Sequence, residues 1–174
     1  MNYLLIFVLW LHVLAGVIWI GGMIFILLVL DPSLVARANS RSPLFIERLR
    51  IALAVQSRFQ FFAARAAELI FITGIFNVIV RGYYSQFQYP TMYLRVLTLK
   101  VALFVAMVTL RIINVHLVLS KITSYVSRLS PSEQLTDQIP TSILQLQRKA
   151  QYFLIGNAAL GLTVLALALI LRSL

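Results

Sequence analysis

The sequence predicts an all-α membrane protein, a bundle of four transmembrane helices with both termini on the outer side. Three observations predict it. Hydrophobic residues make up 61% of the 174 residues and charged residues only 11%, where a soluble domain carries about 25% charged residues. Too few polar side chains remain to cover a water-facing surface. The apolar residues gather into four stretches near the length of about 20 residues that crosses a bilayer. Lys and Arg gather in the connections between those stretches.

The first stretch runs from Tyr3 to Leu30 and stops at Asp31-Pro32. No Lys or Arg precedes Arg37, and the run is far longer than the apolar core of a signal peptide, about 7–15 residues, so a retained helix is expected. The second, from Ala66 to Val80, is short alone. Helical pattern continues upstream through Leu44–Arg65 without Gly or Pro, so one long helix from near Pro43 to Arg81 is expected. The third runs from Leu94 to Leu119. The fourth runs from Tyr152 to Leu171 and is entered by a helix beginning after Pro140, a residue tolerated at helix starts because its missing N–H has no partner there. The expectation is one membrane domain over 1–174, with transmembrane helices at about 3–30, 60–82, 94–119 and 150–172.

The connections differ in character. The first holds Arg37, Arg41, Arg48, Arg50, Arg58 and Arg65. The third holds Lys121, Arg128, Arg148 and Lys149, and its Pro131, Ser132, Glu133 and Asp137 mark it as solvated. The second, Gly82 to Leu94, is aromatic: Tyr83, Tyr84, Phe87, Tyr89 and Tyr93 suit the headgroup level. The other side holds only Arg81, Arg95 and Arg172. Positive residues stay in the cytoplasm, which predicts a multi-pass protein of the cytoplasmic (plasma) membrane with its basic connections inside. The net charge of +10 is therefore an orientation signal and not a mark of nucleic-acid binding. The absence of cysteine excludes disulfides, thiolate metal sites and Cys-ligated iron–sulfur clusters. There is no Ser–His–Asp candidate, no paired carboxylates and no phosphate-cradling Gly loop followed by Lys.

Polar residues inside the membrane are costly, about 3 kcal/mol for a charge at mid-bilayer on insertion scales, so they face the bundle interior and need partners. His12 and Trp19 lie seven residues apart on one stripe of the first helix, and Gly16 shares that side. Gly16, Gly21 and Gly22 permit either close helix packing or a flat ligand against the backbone. His12 is either a histidine hydrogen-bonded to a neighbouring helix or a ligand for haem iron or copper. Lys100 and Arg111 share one face of the third helix, with Met107 and Asn114 near the same stripe. Lys100 lies at nearly the depth of His12. Arg111 has two readings, an ion pair with Glu68 or a fork on an anionic group of a cofactor. His116 is a second candidate ligand, offset from His12 by about 20 Å along the helix axes, so two separate sites are expected rather than a two-histidine clamp. Gly156 and Gly161 read as packing residues, and Asn157 as bonding across helices.

These residues carry a family resemblance. His12-Val-Leu-Ala-Gly-Val-Ile-Trp19-Ile-Gly-Gly22-Met-Ile-Phe25 resembles the first helix of the copper resistance D family. Thr73-Gly-Ile-Phe-Asn77 resembles its second helix, and Leu99-Lys100-Val-Ala-Leu-Phe104, followed by Asn114, its third. The first helix also resembles the HemJ-type protoporphyrinogen oxidase family, in which a helix-one His and a helix-three Lys are functional; His12 and Lys100 match those positions. The chain reads Ile26-Leu-Leu-Val-Leu-Asp31-Pro32 where that family continues Tyr-Leu-Pro-Arg.

The resemblance implies a metal- or haem-binding membrane protein, acting in copper handling or as a b-type haem electron carrier. His12, Trp19, Lys100, Arg111, Asn114 and His116 would line the cofactor, with His12 and His116 as metal ligands. The cofactor would be haem b or copper. A HemJ-like oxidase is the enzymatic alternative. A non-catalytic accessory subunit is the third, its polar residues serving packing alone. The expected partners are the lipid bilayer and other membrane subunits or further copies of the chain, and no nucleic acid.

Overall fold

The computed structural model describes residues 3–32, 44–128 and 141–173. All of its regular structure is helical, with no strand among the described residues. Helix α1 (Tyr3–Phe25) runs on through a π-helical turn, π1 (Ile26–Leu30). Helix α2 (Leu44–Tyr84) is continuous over 41 residues. Helix α3 (Thr91–Ile113) passes through a second π segment, π2 (Asn114–Leu119), into α4 (Ser120–Arg128). Helix α5 covers Thr141–Ser173. Four rods result, each long and apolar enough to cross a membrane: Tyr3–Leu30, Ile46–Tyr84, Thr91–Arg128 and Thr141–Leu171. Only 28% of an 18-residue apolar window in the first span, and 11% of one in the third, is buried within the bundle, so the remaining apolar surface needs lipid for cover. The chain is a four-span helical membrane protein.

The long second helix is as expected from the unbroken run before Arg65. Two boundaries differ. The third span does not stop near Leu119 but continues as helix to Arg128. Ile122 and Val126, one turn apart on its inward face, are buried and carry it past the last apolar run. The second connection is also shorter than its aromatic composition suggests, since α2 persists to Tyr84 and α3 begins at Thr91. Pro43, Arg37, Arg41, Pro131, Ser132, Glu133, Asp137 and Pro140 lie outside the described residues.

Spans of 39 and 38 residues are about 57 Å long, almost twice the hydrocarbon thickness of about 30 Å. The excess lies at the end that carries the basic connections. There Ile46, Leu49 and Ala52 of α2 pack with Val118, Leu119, Ile122 and Val126, and with Ala150 of α5. A second cluster lies nearer the middle of the bundle: Ala15, Trp19, Ile20, Met23 and Ile26 of the first rod against Ala63, Ala66, Met107, Leu154 and Ala158. Trp19 meets Phe104 edge to face, with centroids 5.7 Å apart. Helix α1 packs along α2 and touches α5, while α3 packs along α5.

The opposite, aromatic end is closed by a tight turn. Gln86 and Phe87 are left-handed (φ 52° and 59°), and Phe87 N–H donates to the Gly82 carbonyl at 2.7 Å. The Phe87 ring and the Tyr89 hydroxyl crowd the space where a side chain at Gly82 would stand. Tyr89 stacks on Tyr93 and donates its hydroxyl to the Val78 carbonyl. Arg81 lies 4.3 Å above the Tyr93 ring, a contact of the cation–π kind. Tyr83, Tyr84 and Phe87 remain exposed, as an interfacial belt requires.

Candidate functional site

The polar residues inside the bundle form two separate groups. The first, nearer the aromatic end, is centred on His12. Its Nδ1 lies 2.8 Å from Thr73 Oγ1 of α2. The Thr73 hydroxyl proton is directed at the Leu69 carbonyl, 2.5 Å away, one turn back on its own helix, a bond that mid-helix threonines commonly make. Thr73 Oγ1 is therefore an acceptor toward the imidazole. That assigns the proton of a neutral His12 to Nδ1 and puts its lone pair on Nε2, with the Ile70 backbone also acting on the ring. Gly74, beside Thr73, seats the ring: a Cβ there would stand 3.5 Å from His12 Cε1. The charge of Lys100 on α3 acts on the ring through space. Asn77 lies one turn beyond Thr73, and its Oδ1 is buried with no protein partner among the described residues.

The glycines divide. A Cβ at Gly22 would collide with the Phe59 ring, and one at Gly161 would stand 3.0–3.3 Å from Ile20 and Met107, so these two serve packing. A side chain at Gly16, Gly21 or Gly156 would meet nothing within 4 Å. Gly16 is one turn from His12 on the same side, so the space beside the imidazole is open.

The second group lies nearer the basic end and joins α2, α3, π2 and α5. Arg111 donates an Nη2–H to the backbone carbonyl of Gln60. Arg111 Nε, Gln60 Oε1, Asn114 Oδ1 and Asn157 Oδ1 are all buried without a partner among the described residues. Trp19 and Met23 line the same small cavity, of about 10 Å³. The expected Arg111–Glu68 ion pair is a point of correction. Glu68 instead bridges Arg65 at 2.8 Å, one turn away on an exposed face of α2, and acts on Arg111 only through space. The three-residue spacing brings Arg65 to Glu68 at little conformational cost, while a main-chain carbonyl serves Arg111. Asn157, expected to bond across helices, is 95% buried yet its Oδ1 finds no partner among the described residues.

His116 stands apart from both groups. It is exposed on π2, and its carbonyl accepts from Ser120 Oγ. Among the described residues no three His, Asp or Glu side chains converge as a metal site. The six expected cofactor residues thus separate into His12 with Lys100, Trp19 with Arg111 and Asn114, and His116 alone.

At the basic end a larger cavity, of about 40 Å³, is lined by Asp31, Gln56, Gln147 and Gln151 among apolar residues. Gln151 Nε2 donates to Asp31 Oδ2. Burial pushes the Asp31 carboxyl above the ordinary carboxylate range, against the opposing effect of the Gln151 bond.

Sequence reasoning did not single out Thr73, Gln60 or Asp31 as site residues. Thr73 had a signal, a hydroxyl followed by glycine inside an apolar span. Gln60 had none, because it lies in the first half of α2, among Arg48, Arg50, Gln56, Ser57 and Arg58, where polar residues are ordinary.

Fold and site together define a multi-pass membrane protein with polar side chains enclosed at two levels. No protein-family model, no curated protein and no solved structure matches the chain.

Proposed function

We propose that the chain is a haem- or copper-binding protein of the cytoplasmic membrane, with the cofactor held on His12 Nε2 and the basic connections in the cytoplasm. The observation that carries this reading is the His12–Thr73 bond. A ligating imidazole nearly always commits its other nitrogen to a neighbouring acceptor, which fixes the tautomer and the ring plane. His12 has that arrangement, with its lone pair on Nε2, open space at Gly16 and a buried oxygen on Asn77 that has no partner among the described residues. The donor set suits one imidazole ligand to a b-type haem iron or a copper ion. His12 lines neither of these two cavities, so a cofactor on Nε2 would occupy the open side of the helix.

When bound, such a group supplies a one-electron redox centre. The chain's residues supply the rest. His12 gives the lone pair, Thr73 orients it, and the Lys100 ammonium provides a positive charge for an anionic group at that level. The resemblance to the copper resistance D family supports the same assignment. A HemJ-like oxidase is the second reading, supported by the match of His12 and Lys100 to that family's functional His and Lys and by the through-space effect of the Lys100 charge on the His12 ring. In that case Lys100→Ala abolishes porphyrinogen oxidation.

The test is an absorption spectrum of the purified protein, oxidised and then reduced, with elemental analysis for iron and copper. Wild type is expected to carry haem b or copper, and His12→Ala to lose it while Lys100→Ala remains folded. A cofactor retained by His12→Ala would overturn the assignment. Protein that binds neither haem nor copper would leave the accessory-subunit reading in its place.

A further inference from the structure

The two cavities lie in series. Met23 and Trp19 line the smaller one; Ile26, Leu30 and Asp31, further along the same rod, line the larger. Leu154 of α5 is a wall of both. A volume near 10 Å³ accommodates about one water molecule, and 40 Å³ about three. Room alone does not retain water, which also needs two to four polar partners.

Both cavities provide such partners. The smaller one is bordered by one unpartnered donor, Arg111 Nε–H, and by three unpartnered oxygens, Gln60 Oε1, Asn114 Oδ1 and Asn157 Oδ1. A water accepting from Nε–H and donating to two of the oxygens satisfies three of these atoms at once. Asn114 is also the first residue of π2, and its N–H is shared between the Leu110 and Arg111 carbonyls. Such irregular turns are common at functional positions in helices. The larger cavity presents the Asp31 carboxyl and the amides of Gln56, Gln147 and Gln151. The charge of Arg111 adds a reason. Glu68 bridges Arg65 and reaches Arg111 only through space, so the guanidinium still calls for hydration.

We propose that the basic half of the bundle is a hydrated vestibule, in which water reaches from Asp31 at its mouth to Arg111, Asn114 and Asn157 beside Trp19. Its ligand is water. Its role is to bring the aqueous phase of the basic end to the fixed positive charge of the half-buried Arg111. It ends short of the His12 site, which it neither lines nor needs, so it stands whether or not His12 carries a cofactor.

The chain contains its own probe and control. Met23 and Met107 are almost equally buried, at 1% and 3% exposure. Met23 lines the smaller cavity, and Met107 lines neither. Brief radiolysis of the protein in detergent generates hydroxyl radicals from bound water, and mass spectrometry locates oxidised methionines. Met23 is expected to oxidise at least several-fold faster than Met107. Asn157→Leu, which fills the cavity and removes one polar partner, is expected to bring the Met23 rate down to that of Met107. Equal slow oxidation of both methionines in wild type would overturn the vestibule, as would a fast Met23 rate unchanged by Asn157→Leu. Thermal unfolding of the variant, compared with wild type, verifies that the rates are read on folded protein. Stabilisation of wild type on exchanging gluconate for chloride at constant ionic strength, lost in Arg111→Gln, would overturn water as the occupant in favour of a small anion.

Discussion

Trp19→Ala is expected to destabilise the bundle by about 3 kcal/mol, the lower end of the range for removing a large aromatic side chain from a core. The lower end applies because part of the usual cost disappears in a membrane. Lipid tails are as apolar as a protein interior, so no transfer of the indole into water is avoided by burial. Lost packing remains, and Trp19 has much to lose. It is 2% exposed and belongs to the cluster joining the first rod to Ala63, Met107, Leu154 and Ala158. Its edge-to-face contact with Phe104 is worth about 0.5–1.5 kcal/mol beyond contact area. Trp19→Phe keeps most of this and is expected to cost less than half as much. Unfolding in mixed micelles measures both. An unchanged transition for Trp19→Ala would mean that the helices do not meet around this residue.

Thr73→Val is expected to weaken cofactor binding by roughly 10–100-fold, the usual effect of removing the partner that orients a metal-ligating histidine. Valine nearly matches threonine in shape, so helix packing at this buried position is kept. What disappears is the acceptor for His12 Nδ1–H. An unmatched buried donor costs about 1–3 kcal/mol, and the ring escapes part of that cost by turning, which moves Nε2 off its line. Thr73→Ser restores the oxygen and is expected to bind like wild type. Titration of cofactor-free protein, by absorbance for haem and by chelator competition for copper, gives the three affinities. Equal affinity for Thr73→Val and wild type would detach Thr73 from the site and weaken the case for His12 as ligand.

The legible and illegible parts of this chain separate along physical lines. Four spans follow from composition and run length, because a bilayer demands about 20 apolar residues whatever the tertiary packing. The length of α2 was legible in the absence of Gly and Pro before Arg65. The depth match of His12 and Lys100, and the separation of His12 from His116, follow from helical rise alone. Side-chain partners were not legible in this way. The choice of Arg65 over Arg111 by Glu68 depends on which face of α2 turns outward, and no periodicity in that helix announces it. The π segments at Ile26–Leu30 and Asn114–Leu119 have no signature in composition, yet the second begins at a buried asparagine of the polar group. Nor could residue types tell the packing glycines, Gly22 and Gly161, from the open one beside His12.

Everything proposed for His12, Arg111 and Asp31 assumes four crossings, with the aromatic turn on one side of the membrane and the basic connections on the other. The chain has no cysteine, so single cysteines can be placed without preparing a substituted background. Gln88 in the aromatic turn and Ser127 near the end of α4 are both exposed. In intact cells a membrane-impermeant maleimide is expected to label Gln88→Cys directly and Ser127→Cys only after permeabilisation. Labelling of both from outside, or of Ser127→Cys alone, would contradict the arrangement on which the account rests.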